Sequence, residues 1–244
     1  GTLEQRSRFQ REALEGFVAA NYGLDLAFNS DTGSLDPLEY ARLRMLVNSA
    51  PPRERRMLLG AAGVTHIVTH RTLDEPWLER IAVLPGRTAP PQQVYRNRLA
   101  VPRLRVVRSL VPYRGDEGFI QAIRSAPQDL FSRAALVESD ELARLGNDRT
   151  PGAGIRPARE TAAKAHIELL EDRGDRMRVR IEGAGGFLVI NDSMVRGWSA
   201  TVDDEPAPLL RVDFAFRAVP LPSGVHEVRL DYDLWAVSRP PSIP

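Results

Sequence analysis

The sequence predicts an α+β fold, with a small α/β layer domain over residues 1–138, a linker over 139–161 and an antiparallel β-sandwich of jelly-roll type over 162–244. Three observations predict it. Apolar residues recur with helical spacing in the first half, at Phe9, Ala13, Leu14, Phe17 and Val18. Gly146, Pro151, Gly152, Gly154 and Pro157 then crowd into one stretch that breaks regular structure. From Ala165 onward the apolar period becomes two, in short runs bounded by Gly, Pro or Asp and with no helix between them.

Taken in order, Leu3–Ala20 reads as an amphipathic helix and Asn29–Ser34 as a loop. Asp36-Pro37 is a helix start, a side-chain cap followed by a proline where the missing N–H costs nothing. That helix carries Leu38, Ala41, Leu43 and Leu46 and stops before Pro51-Pro52, and a second runs from Arg53 to Ala62 and ends at Gly63. Val64–Thr69 is β-branched and reads as a buried strand. Further strands are expected at Leu78–Leu84, Gln93–Arg98 and Leu104–Pro112, with a helix at Glu117–Ala126. Met177, Val179 and Ile181 alternate with charges behind a Gly174-Asp175 turn, which predicts a hairpin with the strand around Ile167 and Leu169. Strands follow at Phe187–Ile190, Trp198–Val202, Leu209–Val212, Ala215–Val219 and Val225–Tyr232.

Composition narrows the function. The 33 Lys and Arg against 32 Asp and Glu leave a net charge of +1, without the basic excess that nucleic-acid binding uses. With no cysteine there is no disulfide, thiolate metal site or cysteine nucleophile. No run approaches the roughly 20 apolar residues of a membrane span. Gly1 in place of Met predicts an excised piece of a longer chain, so the missing export signal leaves the compartment open.

The most specific signal is an ordered series in the last third. Leu188-Val-Ile-Asn-Asp-Ser193 is followed by Gly197-Trp198-Ser-Ala-Thr-Val-Asp203, then Asp213-Phe-Ala-Phe-Arg-Ala-Val-Pro-Leu-Pro-Ser-Gly-Val-His226, Tyr232 and Trp235. Upstream stand Asp36-Pro37-Leu38, Gly63-Val-Thr-His-Ile-Val68, and Val94-Tyr-Arg-Asn97 with Ala100-Val-Pro-Arg103. This series resembles the C-terminal extracytoplasmic region of the YfhO family of bacterial multi-pass membrane proteins, which are similar to membrane-embedded glycosyltransferases that use lipid-phosphosugars. The chain departs from the family pattern at Val195-Arg196, where Tyr-Pro is usual, at Asp204, where a turn glycine is usual, and at Phe214, where tyrosine is usual.

The resemblance implies a sandwich like those of carbohydrate-binding modules, held on the periplasmic or extracellular face by the transmembrane portion of a parent glycosyltransferase. It also implies that the reactive carboxylate lies in that absent portion, so the chain itself carries no catalytic residue, cofactor or metal. Its partners would be the transmembrane portion and a cell-envelope glycan or lipid-linked sugar. Two other readings stand beside this one: a stand-alone secreted carbohydrate-binding protein, and a glycoside hydrolase with a sandwich appendage.

The candidate glycan contacts are Asn191, Asp192, Trp198, Arg217, Tyr232 and Trp235. Trp198, Trp235, Tyr232 and Phe216 can form an aromatic platform for a sugar ring; the competing reading makes them core plugs at strand ends. Arg217 is a bidentate grip for an anionic group, or else a salt-bridge partner of Asp213 or Asp231. Asn191, Asp192, Asp203, Asp204 and Glu205 are oxygen donors of the kind calcium uses, but they fall in turns, where such side chains cap backbone. His66 and His70 share a strand face without a third ligand, and His66 reads as a core histidine. Glu138 and Asp140 are near neighbours, which does not give the facing geometry of a glycosidase pair. Gly183-Ala-Gly-Gly186 lacks the following helix of a phosphate loop, and no Gly-x-Ser-x-Gly occurs.

Overall fold

The computed structural model describes residues 37–86, 90–147 and 165–237, with the side chains of 146, 147, 236 and 237 excepted. The expected N-terminal helix, the loop after it, the Asp36 cap and most of the expected linker lie outside these residues. Within them the fold is mixed α+β with mostly antiparallel sheets. No helix among the described residues is long and apolar enough to cross a membrane.

The described residues form two units, those within 44–101, and 37–43 with those within 102–237. This division falls at Val101/Pro102, whereas the sequence suggested residues 139–161. Strand pairing explains the difference, because strands between 104 and 138 join the sheet built by the C-terminal strands.

In the first unit, helix α1 (Leu38–Ser49, divided between the units at Leu43/Arg44) stops before Pro51-Pro52, and α2 (Pro52–Ala61) carries a proline in its first turn. Arg55 reaches back to the carbonyls of Val47, Asn48 and Ala50 at 2.9–3.0 Å, a cation satisfying orphan acceptors at a helix C-terminus. Three antiparallel strands, β1 (His66–Thr69), β2 (Leu78–Leu84) and β3 (Gln92–Asn97), stand in the order β1-β3-β2. β3 is central, and its Tyr95 is buried with its hydroxyl accepting from the Leu73 N–H at 2.9 Å. Val64–Thr69 is not the expected buried strand: β1 is an edge, and its residues alternate between exposed and half-buried. His66 is accordingly exposed rather than a core histidine, and His70 lies beyond the strand end.

The second unit holds two larger sheets. One is five-stranded, in the order β11-β10-β14-β8-β7, from β7 (His166–Arg173), β8 (Arg176–Gly183), β10 (Trp198–Val202), β11 (Glu205–Ala207) and β14 (Gly224–Tyr232). The other is six-stranded, in the order β4-β9-β13-β12-β6-β5, from β4 (Leu104–Val107), β5 (Ser109–Tyr113), β6 (Ala134–Glu138), β9 (Gly186–Ser193), β12 (Leu210–Val212) and β13 (Phe216–Leu221). Met177, Val179, Ile181, Val228 and Leu230 of the first share one apolar cluster with Leu188, Ile190, Val219 and Leu221 of the second. A second cluster lies on the other face of the six-stranded sheet, where Val137, Val189, Val212 and Ala218 meet Leu142 and Leu145 of helix α5 (Ser139–Asn147).

β5 and β6 run parallel, joined through α3 (Gly115–Ser125) and the short α4 (Leu130–Arg133). Phe119 and Ile123, one turn apart on α3, are both buried. The pattern of β6 is continuously buried, so its apolar run shows no alternation for a sequence reading to detect. The single strand expected over Leu104–Pro112 is two strands, β4 and β5, with different partners.

The turns explain several residues. Gly183-Ala-Gly-Gly186 joins β8 to β9, and Gly185 and Gly186 both have positive φ, at 77° and 131°. Asp203 and Asp204 connect β10 to β11 with φ of 51° and 66°, a left-handed pair that Asp tolerates and glycine fits better. Asp203 does more than turn the chain. Its carboxylate meets His226 Nδ1 at 2.6 Å and accepts from the Glu227 N–H at 2.9 Å, which ties the β10–β11 turn to β14.

That contact holds Asp203 below the usual carboxylate range, and it raises His226 above its ordinary value. Each group's contribution has its own limit. The raised histidine stabilises the fold below about pH 6.5 and loses this as pH rises through its folded value. The depressed carboxylate stabilises it above about pH 3.8 and loses this as pH falls through its own. The full contribution therefore lies between the two, about 1 kcal/mol or less because the Asp203 side chain is half exposed. Asp203→Asn should return the His226 titration, followed by NMR, toward 6.5; an unchanged titration would show that the contact does not form.

Candidate functional site

The site lies where several strands of the second unit end together. β4 enters there after Arg103, β9 leaves through Asn191–Ser193, and β13 begins with Phe216-Arg217. From the other sheet come the β7–β8 turn around Asp172–Arg176, the start of β10 at Trp198 and the end of β14 at Tyr232. The backbone joins these ends, with the Tyr232 N–H donating to the Asp175 carbonyl at 2.9 Å and the Asp233 N–H to the Gly197 carbonyl at 2.8 Å.

Trp198 and Tyr232 are cross-strand partners, with ring centroids 5.3 Å apart and tilted at 49°. The Arg217 guanidinium lies 4.2 Å from the centre of the Trp198 ring. Only 4 % of the Arg217 side chain is exposed, so this stack is desolvated and stronger than its surface counterpart. Arg217 Nη2 donates to Asp192 at 3.0 Å, while Nη1 is buried without a hydrogen-bond partner. Burial lowers the Arg217 pKa, against the pull of the Asp192 carboxylate.

Asp192 is shared. Arg103 closes on it with Nε and Nη2, both at 2.9 Å, and reaches Asp172 with Nη1 at 2.5 Å and Nη2 at 3.3 Å. These bonds raise the Arg103 pKa, Asp192 contributing most. The result is a chain of alternating charge, Arg217–Asp192–Arg103–Asp172, running from beneath Trp198 toward solvent.

Beyond Tyr232 the chain makes a 3-10 turn, Leu234–Val237, in which the Trp235 N–H donates to the Asp233 side chain at 2.9 Å. Trp235 is 75 % exposed and Leu234 65 %. An indole this far in water contrasts with Trp198, which is half-buried and packs on the core between the sheets. Of the aromatic residues expected to form a platform, Trp235 is exposed, Trp198 and Tyr232 pack on each other, and Phe216 is buried at 2 % exposure.

No family model, curated protein or solved structure matches this chain.

Four of the six candidate contacts, Asp192, Trp198, Arg217 and Tyr232, are thus brought into one cluster, with Trp235 on the turn beside it. Asn191 is directed elsewhere: its Oδ1 accepts from Arg105 Nη1 at 2.6 Å. Arg105 Nη2 binds Asp213 at 2.5 Å and its Nε donates to the Phe131 carbonyl at 2.9 Å, and both side chains of this ion pair are buried. Asp213 also accepts from the Leu136 N–H at 2.7 Å. Burial pushes the Asp213 carboxyl up to about 6 despite Arg105, and burial lowers Arg105.

The salt-bridge partner expected for Arg217 was Asp213 or Asp231. The structure gives it Asp192 instead: Asp213 belongs to Arg105, and Asp231 to Arg176 and Arg229. Arg103, Asp172 and Arg105 were missed, because their partners lie 69 to 108 residues away and no local period marks them. The one available signal was Arg103 at the end of Ala100-Val-Pro-Arg103.

The possible calcium donors are dispersed. Asp192 is held by two arginines, Asn191 faces Arg105 and Asp203 faces His226; among the described residues no group of three or more His, Asp or Glu is placed to hold a metal. Glu138 accepts from the Gly115 N–H at 2.9 Å, and Asp140 lies in the first turn of α5.

Proposed function

We propose that this chain is a non-catalytic, water-facing domain that contacts a cell-envelope glycan. In this reading it belongs to a larger bacterial multi-pass membrane protein of the glycosyltransferase-like YfhO kind. The transmembrane portion of that parent holds it on the extracytoplasmic face. The two larger sheets read as a β-sandwich of the type used by carbohydrate-binding modules.

Two things support this. The ordered motif series from Asp36 to Trp235 resembles the extracytoplasmic region of that family. The observation that carries the glycan contact is Trp235, a 75 % exposed indole three residues beyond Tyr232, whose own ring packs on Trp198 over the buried Arg217. Sugar sites combine the same parts: an aromatic face for the C–H side of the ring and charged groups for the hydroxyls.

Trp235→Ala should weaken glycan binding by about tenfold, the worth of roughly 1.4 kcal/mol of stacking, with an unchanged melting temperature. Calorimetric titration with envelope oligosaccharides checks it, and binding that survives the substitution intact would remove the site from this face. The membrane tether is checked in the full reading frame. About a dozen upstream spans of roughly 20 apolar residues are expected, and a frame encoding a secreted protein without them would favour a stand-alone binding protein.

A further inference from the structure

The charge chain at the site also restricts what its ligand can be. Arg103 and Arg217 face Asp172 and Asp192, so two positive charges meet two negative ones and the cluster is neutral. Arg217 is buried and its reachable donor is spent on Asp192, which leaves Arg103, 44 % exposed, as the one of these two guanidiniums that meets solvent; Arg173 and Arg176 on the adjoining turn are paired with Glu171 and Asp231. Four bonds from Arg103 to the two carboxylates use four of its five N–H groups.

An incoming phosphate or carboxylate finds one remaining Arg103 N–H, and any second contact must displace Asp172 or Asp192; either way it lies beside these carboxylates, where like charges repel strongly at close range. A hydroxyl meets no such obstacle. Asp172, 34 % exposed, retains lone pairs that accept from a hydroxyl, and Arg103 has one Nη1 N–H left among its contacts with the described residues. An acceptor and a donor side by side suit neighbouring hydroxyls on a sugar ring.

We propose that this site takes an uncharged saccharide, with adjacent hydroxyls on Asp172 and Arg103, and that it discriminates against phosphorylated and acidic sugars. The proposal rests on the glycan reading above and narrows it. The ligand is a neutral glycan rather than the phosphosugar head of a lipid-linked donor.

The test is calorimetric titration of the intact chain with methyl glycosides and short uncharged oligosaccharides of glucose, galactose and mannose. The same hexoses as 1-phosphates form the second arm, and both arms are run at low and high sodium chloride. At least one uncharged sugar should bind tenfold or more tighter than its 1-phosphate, with an affinity that moves less than about twofold with salt, because no net charge is being screened.

Asp172→Asn leaves a cluster of net charge +1. It should weaken the uncharged sugar and tighten the 1-phosphate by about fivefold or more at low salt, a gain that high salt removes. A gain of binding cannot come from misfolding. The proposal is overturned if a 1-phosphate binds the unsubstituted chain as tightly as its uncharged counterpart, or if Asp172→Asn leaves the discrimination unchanged. If no saccharide of either kind binds, the glycan reading itself fails, and this inference with it.

Discussion

Arg105→Met should cost about 3–5 kcal/mol of stability at neutral pH, because it leaves the Asp213 carboxylate buried with no counter-ion. Asp213 is 2 % exposed, and among the described residues its oxygens have, beyond Arg105, the Leu136 N–H, a single neutral donor. The loss should also depend on pH in a definite direction. Burial already raises the Asp213 carboxyl to about 6, and removing the arginine removes the attraction that opposes this rise. A carboxyl raised above its unfolded value of 3.8 destabilises the fold as pH climbs through and above that value, and protonation on acidification relieves it.

Urea unfolding at pH 5 and pH 8 should therefore show a smaller loss for the variant at pH 5. An equal loss at both would mean that Asp213 is not the group left uncompensated. Arg217→Met is the informative contrast. It removes an equally buried guanidinium, yet Asp192 keeps the two bonds from Arg103 at 2.9 Å. With no charge left orphaned and a methionine of similar reach beneath Trp198, the cost should be about 1 kcal/mol.

Gly186→Ala should destabilise the protein by more than about 3 kcal/mol and yield little folded chain. A Cβ there would stand 2.3 Å from the Val107 carbonyl oxygen, and φ is 131°, which L-residues rarely adopt. The obstacle cannot move aside, since Val107 pairs with Phe187 while Gly186 pairs with Leu221, so relief on one side breaks the ladder on the other. Gly115→Ala separates the two causes. Its φ is 63°, with nothing within 4 Å of a new Cβ, so it should show only the left-handed backbone cost of about 1 kcal/mol. Equal melting temperatures for the two variants would refute the steric account.

The position of most elements was legible in the sequence. The Pro51-Pro52 pair ended α1, Gly174-Asp175 marked the β7–β8 turn, and strict alternation in Met177, Val179 and Ile181 marked a strand with one buried face. β2 and β10 have the limits that their residue patterns predict, Leu78–Leu84 and Trp198–Val202. The aromatic and acidic residues near the strand ends were also identifiable as candidates, since exposed indoles and turn carboxylates are named by residue type alone.

Tertiary structure decided everything that depends on pairing over distance. β6 is buried on both faces, so Ala134–Val137 lacks the alternation that reveals a strand, and only its neighbours β5 and β12 define it. The same holds for the site. Sequence named Arg217 and Asp192 separately; that they are partners, that Arg103 joins them from 89 residues away, and that Asp213 belongs to Arg105 follow from which strand ends meet. Local chemistry is written in the order of residues, because helix, turn and strand propensities act within a few positions. The partner of a charge is fixed only when sheets bring remote segments within about 3 Å, and no short-range pattern encodes that.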